Sequence, residues 1–125
     1  MIYLEFLEGQ GLGNQLWNYV ALRSISSKLG FGYEIICPEN FKGNSFLEIS
    51  YKGNSNIDYS HNYLLENNKK NIFNEKLYYD NDFNSYSSDF DKDILKIKQN
   101  TIIKGLFQSE NYLFKNDINQ FIKLK

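Results

Sequence analysis

The chain has 125 residues, 42% of them hydrophobic, and we expect it to form one domain over residues 1–125. Its net charge of −1 gives no reason to expect a nucleic-acid partner, and its single cysteine excludes an internal disulfide or a cysteine-based zinc site. With no signal peptide or integral membrane segment in the pattern, we expect a cytoplasmic protein, bacterial or viral, or one attached peripherally to a membrane.

The amino-terminal forty residues predict a strand, a glycine-rich loop, a helix and a second strand. Residues 2–8 are typical of a strand buried on both faces, as in a parallel sheet. The loop covers residues 9–14, and helical spacing of apolar residues extends from about Gln15 to Leu29, with Asn14 as the candidate N-cap. Glycines end the helix, and residues 33–37 predict the second strand, which Pro38 stops. This order is a βαβ unit.

The middle of the chain is less regular. We expect loop with one or two short strands over residues 39–62, and a polar turn between the apolar pieces 63–65 and 71–73. No steady period is visible in residues 78–93, which are rich in tyrosine and aspartate.

Order returns in the last quarter of the chain. Residues 101–107 predict another buried strand, followed by a turn into a helix with Ser109 as its cap. A second short helix is predicted from Asp117 to Ile122.

The glycine loop, with glycines at positions 9, 11 and 13, predicts a site for a phosphorylated ligand. A glycine-rich turn between strand and helix exposes backbone N–H groups at the helix N-terminus, which carries about half a positive charge. A P-loop is excluded because its lysine and hydroxyl residues are missing. A Rossmann dinucleotide site stays open, with Glu39 as the acid that follows the second strand.

Two stretches of the sequence carry a resemblance to a known family. Residues 11–19 read Gly-Leu-Gly-Asn-Gln-Leu-Trp-Asn-Tyr, and residues 105–113 read Gly-Leu-Phe-Gln-Ser-Glu-Asn-Tyr-Leu. Both resemble motifs of glycosyltransferase family 11, the α-1,2-fucosyltransferases, in the same order and at similar spacing. Residues 79–82, Tyr-Asp-Asn-Asp, are similar to a piece that precedes the family's second motif.

The resemblance implies an α/β fold, namely the Rossmann-like amino-terminal half of a GT-B glycosyltransferase, with a parallel sheet flanked by helices. It implies inverting transfer of fucose from GDP-fucose to a galactose 2-hydroxyl of a glycan acceptor, without an essential metal or a cofactor. The implied contacts to the donor phosphates are made by Gly11, Gly13, Asn14 and Gln15. In the second motif, Gln108, Ser109 and Tyr112 are expected to be structural, and Glu110 is the candidate general base.

The chain departs from the family in three places. The mildest is that Trp17 and Asn18 stand where the family has phenylalanine and glutamine. Gln10 stands where a glycine is usual, and the family's His-x-Arg-Arg-x-Asp motif is missing, since Arg23 in the predicted helix is the only arginine. We therefore expect a truncated form that lacks the donor-binding carboxyl half, binds the donor weakly and self-associates through an exposed domain interface. The alternatives are a Rossmann-type dinucleotide-binding fragment and a non-catalytic remnant or interaction module.

Four further features are expected to be structural. His61 lies in a polar segment, and Cys37 is expected to be a small core residue of the second strand. Acidic residues near position 80 only partly match a calcium loop, since Ser85 stands where glycine is needed. Three tyrosines at positions 78, 79 and 86 have the chemistry to stack on a sugar ring, but we expect them to pack in the core or at its edge.

Overall fold

The computed structural model describes residues 1–53, 70–114 and 118–125. In these ranges the strands are β1 (Ile2–Glu5), β2 (Tyr33–Ile36), β3 (Leu47–Glu48), β4 (Lys52–Gly53), β5 (Asn71–Asn74), β6 (Leu77–Asp80), β7 (Ser85–Ser88), β8 (Thr101–Lys104) and β9 (Lys123–Leu124). One α-helix, α1 (Leu12–Leu29), is accompanied by short 3₁₀ helices at Pro38–Asn40, Lys92–Lys96, Glu110–Leu113 and Ile118–Gln120. His61 and the predicted apolar piece 63–65 lie outside the described residues.

A five-stranded sheet in the order β4-β2-β1-β8-β5 forms the centre of the fold. Strands β2, β1, β8 and β5 run parallel, and β4 pairs with β2 antiparallel at one edge. The middle strand β1 is buried at Ile2, Tyr3 and Leu4, as expected for a strand covered on both faces. The predicted α/β class and the βαβ unit are therefore confirmed, and the fold is compatible with a Rossmann-like arrangement.

Helix α1 covers this sheet with an apolar stripe. Tyr19, Leu22 and Ile25 recur at helical spacing and are fully buried against the strands. The helix ends at Gly30, whose φ of 73° is left-handed and whose N–H reaches the carbonyl of Ser26. The glycine stop predicted from sequence is therefore confirmed.

All three predicted strands are shorter than the apolar runs suggest. β1 ends at Glu5 rather than residue 8, and β2 ends at Ile36 because the next residue, Cys37, has a left-handed φ of 58°. Cys37 is half-buried and follows the strand, so its predicted position as a core residue within β2 is wrong. β8 ends at Lys104, and Phe107 is again left-handed, with a φ of 51°.

Strand β5 and the β6–β7 hairpin are among the elements that were not predicted from the sequence. Residues 71–74 form β5, a parallel partner of β8, although only two of these four residues are hydrophobic. Residues 77–88, within the stretch that shows no steady period, form the β6–β7 hairpin, whose strands pair in register from Leu77–Ser88 to Asp80–Ser85. The short strands β3 and β4 fall where one or two were expected.

The carboxyl-terminal helix is smaller than predicted. In place of a helix from Asp117 to Ile122, the described residues form one 3₁₀ turn at Ile118–Gln120, and Asp117 itself lies outside them. No helix among the described residues is long and apolar enough to span a membrane.

The Tyr19 hydroxyl joins α1 to two distant segments. It donates to the carbonyl of Phe121 at 2.8 Å, and accepts from the N–H of Ser50 at 3.1 Å and from the Arg23 guanidinium at 2.8 Å. Burial raises the pKa of Tyr19, although the Ser50 N–H and the Arg23 charge oppose this effect. The hydroxyl therefore stays protonated and keeps its donor role.

We predict that Tyr19→Phe lowers the free energy of unfolding by about 1–3 kcal/mol, because it leaves the buried carbonyl of Phe121 and the N–H of Ser50 without their partner. Urea unfolding followed by circular dichroism measures this change. Tyr78→Phe, at an exposed tyrosine, is the control and should change stability by less than about 0.5 kcal/mol. Equal stability of the two variants would contradict the role of Tyr19 as a junction.

Candidate functional site

The glycine loop connects the carboxyl end of β1 to the first turn of α1. Gly11 is the N-cap, with φ −75° and ψ 156°. Since glycine has no side chain, no side-chain capping hydrogen bond forms at this position. The helix starts at Leu12, three residues earlier than predicted, because the backbone turns helical directly after the extended Gly11. Asn14 is therefore not the N-cap; it lies within the first helical turn, which leaves its side chain free for another contact.

Three backbone amides at this helix end are unpaired. The N–H of Gln15 bonds to the carbonyl of Gly11 at 3.1 Å, whereas those of Leu12, Gly13 and Asn14 have no acceptor among the described residues. They point towards the open side of the turn, where the helix dipole favours negative charge. The turn thus has the donor set that an anion requires.

The glycines of this loop are not needed by the fold itself. A Cβ added to Gly9, Gly11 or Gly13 meets no atom within 4 Å, and none of the three has a positive φ. Gly105 differs, because a Cβ there would come within 2.4 Å of the Glu75 Cβ. Neither backbone strain nor packing among the described residues requires these glycines, and the space in which their Cβ atoms would lie is open.

Gln15 has a bracing role. Its side chain is fully buried, donating to the carbonyl of Asn40 at 2.8 Å and accepting from the N–H of Lys42 at 2.9 Å. Asn40 in turn donates to the carbonyl of Phe6 at 3.0 Å. These bonds fix the segment after β2 against α1 and the end of β1, and they occupy both polar ends of Gln15.

The two sequence motifs meet in space at Asn14. The side-chain amide nitrogen of Gln108 donates to Asn14 Oδ1, although the residues are 94 positions apart. The N–H of Gln108 is itself held by Ser88 Oγ at 2.7 Å. Since Gln108 occupies the Asn14 oxygen, the Asn14 amide nitrogen remains available as a donor beside the unpaired helix amides.

Asn18, one helical turn after Asn14, also joins α1 to the second motif. It is buried, and in the amide orientation that satisfies both of its polar atoms, the nitrogen donates to the carbonyls of Leu106 at 2.9 Å and Gly105 at 3.1 Å. Its oxygen accepts from Gln10 Nε2 at 3.3 Å, and Gln10 Oε1 accepts from the N–H of Leu7 at 2.8 Å. Gln10, the residue that departs from the family pattern, therefore joins the start of the glycine loop, at Leu7, to Asn18 of α1.

Glu75 supports the second motif and was missed by the sequence analysis. It directly follows β5 and is only 5% exposed, and Oε1 accepts from the N–H groups of Leu106 and Phe107 at 2.9 Å each. Its other oxygen, Oε2, is buried without a hydrogen-bond partner among the described residues. No periodicity marks this residue; the only signal is an acid placed directly after a short strand.

Tyr112 lies near Glu75 and is held in place by two hydrogen bonds. Its hydroxyl donates to the carbonyl of Asp89 at 3.1 Å and accepts from the N–H of Asp91 at 2.9 Å. Burial first, and then the nearby Glu75 carboxylate, raise the pKa of Tyr112. The one proton of the hydroxyl is donated to Asp89, so Glu75 Oε2 receives no hydrogen bond from it.

The remaining residues of the second motif have separate positions. Ser109 is the N-cap of the Glu110–Leu113 3₁₀ helix and accepts from the N–H of Asn111 at 3.3 Å, which confirms the predicted cap. Glu110 is exposed in the first turn of that helix. Glu39, the acid of the dinucleotide alternative, is exposed in the 3₁₀ helix that follows β2.

The acidic residues near position 80 form a turn. Asp80 Oδ1 accepts from the N–H of Asp82 at 2.9 Å at the tip of the β6–β7 hairpin, and Asn84 has a left-handed φ of 49°. Within residues 1–53, 70–114 and 118–125, no group of three or more His, Cys, Asp or Glu side chains is placed to hold a metal ion.

A cavity of about 300 Å³ lies beside this loop, on the side of α1 that faces the last segment of the chain. Its lining is apolar and is formed by Gly13, Leu16, Trp17, Val20, Leu113, Ile118 and Ile122. The open amides of the α1 N-terminus and this apolar cavity share Gly13 as a common wall. The site therefore offers both anion donors and apolar surface.

Comparison with known proteins found no matching family model, curated protein or solved structure.

We predict that Glu75→Ala lowers the free energy of unfolding by about 2–5 kcal/mol, because the N–H groups of Leu106 and Phe107 both lose a charged acceptor. Glu75→Gln is the matched control, since its amide oxygen can still accept both bonds and the unpaired buried charge is removed. The free energy of unfolding of this variant should lie within about 1 kcal/mol of that of the native chain. Thermal unfolding would count against this account if the glutamine variant were as unstable as the alanine variant.

Proposed function

We propose that the chain is a glycosyltransferase-like protein that binds the diphosphate of a nucleotide sugar at the N-terminus of α1. The class with which its motifs agree is the α-1,2-fucosyltransferases, in the amino-terminal part of a GT-B fold. The reaction is transfer of fucose from GDP-fucose to the 2-hydroxyl of a galactose on a glycan acceptor. The observation that carries the proposal is the contact between the two motifs, Gln108 to Asn14, at three unpaired helix amides.

The proposed chemistry places growing negative charge at this helix end. As the bond between the fucose C1 and the β-phosphate oxygen breaks, the departing GDP gains charge, and the sugar becomes oxocarbenium-like. The acceptor oxygen then bonds to C1 from the opposite face and gives up its proton to a base, for which the exposed Glu110 is the candidate. Donors aimed at the leaving group lower the barrier, typically by about 3 kcal/mol for one well-placed donor.

Each loop residue has a distinct part in the proposal. The N–H groups of Gly13 and Asn14 face the diphosphate, and Gly11 keeps the approach open. The Asn14 side chain adds a donor whose orientation Gln108 sets. Gln15 serves indirectly, because its polar atoms are bonded to residues 40 and 42.

The alternative of a dinucleotide-binding fragment rests on the same loop and differs in the role of Glu39. That acid would bind a ribose hydroxyl of NAD. It is exposed in the turn after β2, so the two readings differ in which ligand is bound and whether residue 39 responds.

We predict that GDP, titrated into the isotopically labelled chain, shifts the amide signals of Leu12, Gly13 and Asn14 before those elsewhere. Since one helix end supplies few donors, we expect a Kd of about 1 mM, and NAD should bind more weakly. Nitrogen–proton correlation spectra measure both titrations. Shifts with NAD at the loop and Glu39, without a response to GDP, would favour the dinucleotide alternative, and no response to either would favour a non-catalytic module.

We predict that Gly13→Ala weakens GDP binding by roughly tenfold while leaving the fold intact. A methyl group at this position meets no protein atom within 4 Å and should stabilise the helix by about 0.5–1 kcal/mol, yet it projects into the space that the phosphate needs. Ser27→Ala, at an exposed position near the other end of α1, is the control for helix propensity and should leave GDP binding unchanged. Undiminished binding to the Gly13 variant would remove the α1 N-terminus from the site.

A further inference from the structure

The β6–β7 hairpin displays a pair of tyrosines that the core does not use. In its register Tyr79 lies opposite Tyr86, with ring centroids 5.1 Å apart in an edge-to-face arrangement. They are 48% and 63% exposed, so the expectation that these tyrosines pack in the core or at its edge is wrong. The reason is that the hairpin forms its own two-stranded sheet and does not join the central one.

The two faces of the hairpin differ in chemistry. Because side chains alternate along a strand, Tyr79 and Tyr86 share a face with Ser88, and Tyr78 lies on the other face. The Lys76 ammonium packs on the Tyr78 ring, 5.3 Å from its centroid. Among the described residues, no cation is recorded against the rings of Tyr79 and Tyr86.

The tyrosine pair is continuous with the candidate site. Ser88, on the same face, accepts the N–H of Gln108 at 2.7 Å, and Gln108 reaches Asn14 at the α1 N-terminus. Two hydrogen bonds therefore link the tyrosine face, through Ser88 and Gln108, to the N-terminus of α1. The side chains of Ser88, Gln108 and Asn14 form this link, and their hydrogen bonds fix the hairpin relative to α1.

The chemistry of this face selects its occupant. An exposed aromatic ring supplies a flat apolar surface, and tyrosine adds a polar tip that remains hydrated. Asp80 lies on the Tyr78 face, whereas Asp82 belongs to the turn at the tip of the hairpin, where a carboxylate repels phosphate groups and can accept hydrogen bonds from hydroxyl groups. The Asn84 amide oxygen accepts from the Tyr79 hydroxyl, which positions that ring. A neutral pyranose, with one apolar C–H face and a rim of hydroxyls, matches all of these groups.

We propose that the face formed by Tyr79, Tyr86 and Ser88 binds a neutral sugar ring and is the acceptor-binding surface of the protein. The sugar stacks on the tyrosine pair, and its hydroxyls bond to Ser88 at one end of this face and to the turn residue Asp82 at the other. The assignment to the acceptor rests on the proposed function, whereas binding of a neutral sugar to the hairpin does not.

Lactose, a neutral disaccharide with a terminal galactose, is the probe for this surface. Saturation transfer from tyrosine ring protons detects its binding to the whole chain, and titration of ring carbon–proton signals gives the Kd. Tyr79→Ala and Tyr86→Ala should each weaken binding roughly tenfold, since each removes one aromatic contact. Tyr78→Ala is the matched control, with the same 48% exposure on the opposite face, and should change the Kd less than twofold. Amide spectra verify that each variant keeps its fold.

Three results would overturn the proposal: no lactose binding by the native chain, equal weakening in the Tyr78 and Tyr79 variants, or a dimer in sedimentation analysis that Tyr79→Ala abolishes and lactose does not compete with. The last result would identify a second copy of the chain as the occupant. A response to GDP without lactose binding defeats only this proposal. Lactose binding without a response to GDP defeats the proposed donor site and leaves the sugar surface standing.

Discussion

Parallel pairing of β1 with β8 is the constraint on which the candidate site depends. Parallel strands end at the same edge of a sheet, so the segments that follow β1 and β8 emerge side by side, although nearly a hundred residues separate them. β5, which pairs with β8 on its other side, brings Glu75 to the same edge. The glycine loop, the second motif and the buried carboxylate are thus neighbours because of strand order and direction.

At that edge, hydrogen bonds hold some residues firmly in place, whereas other residues leave backbone N–H groups unpaired. Glu75 accepts the N–H groups of Leu106 and Phe107, and Asn18 donates to the carbonyls of residues 105 and 106. The left-handed Phe107 is held by these bonds, and the chain is directed so that Gln108 meets Asn14. By contrast, no atom of the described residues lies within 4 Å of where a Cβ of Gly11 or Gly13 would be. A firmly bonded frame around an unfilled set of donors is the arrangement that binding and catalysis require.

The sequence predicted the elements whose signals are local. The β1–α1–β2 unit, the Gly30 stop and the Ser109 cap each depend on residues within a few positions of one another. The start of α1 was misplaced because Asn14 is a good capping residue, but the extended backbone at Gly11 lets the helix begin earlier. β5 was missed since a short, half-polar strand is stabilised by its pairing with β8, about thirty residues away. Glu75 was missed for a similar reason, because its partners lie 31 and 32 positions along the chain.

The candidate site itself was only partly predictable. The motif resemblance assigned Asn14 to the donor phosphates and Gln108 to a structural motif without indicating that they touch, and the structure adds that contact. For Tyr79 and Tyr86, hydrophobic character favoured burial, whereas the hairpin that carries them pairs with no other strand among the described residues.

Charge limits what this edge of the sheet can bind by itself. A helix N-terminus contributes about 0.3–1 kcal/mol towards a nearby anion at the surface, well short of the about 4 kcal/mol that a millimolar Kd requires. Hydrogen bonds from the free amides and from Asn14 must therefore supply most of the remainder. The one arginine cannot contribute, because Arg23 packs on the rings of Tyr33 and Phe121, 4.9 and 4.7 Å from their centroids. Tyr33 is the first residue of β2, so this guanidinium lies towards the amino ends of the parallel strands. The glycine loop lies at their carboxyl ends. Tight binding of a diphosphate consequently needs cationic groups beyond those that the described residues place at the loop.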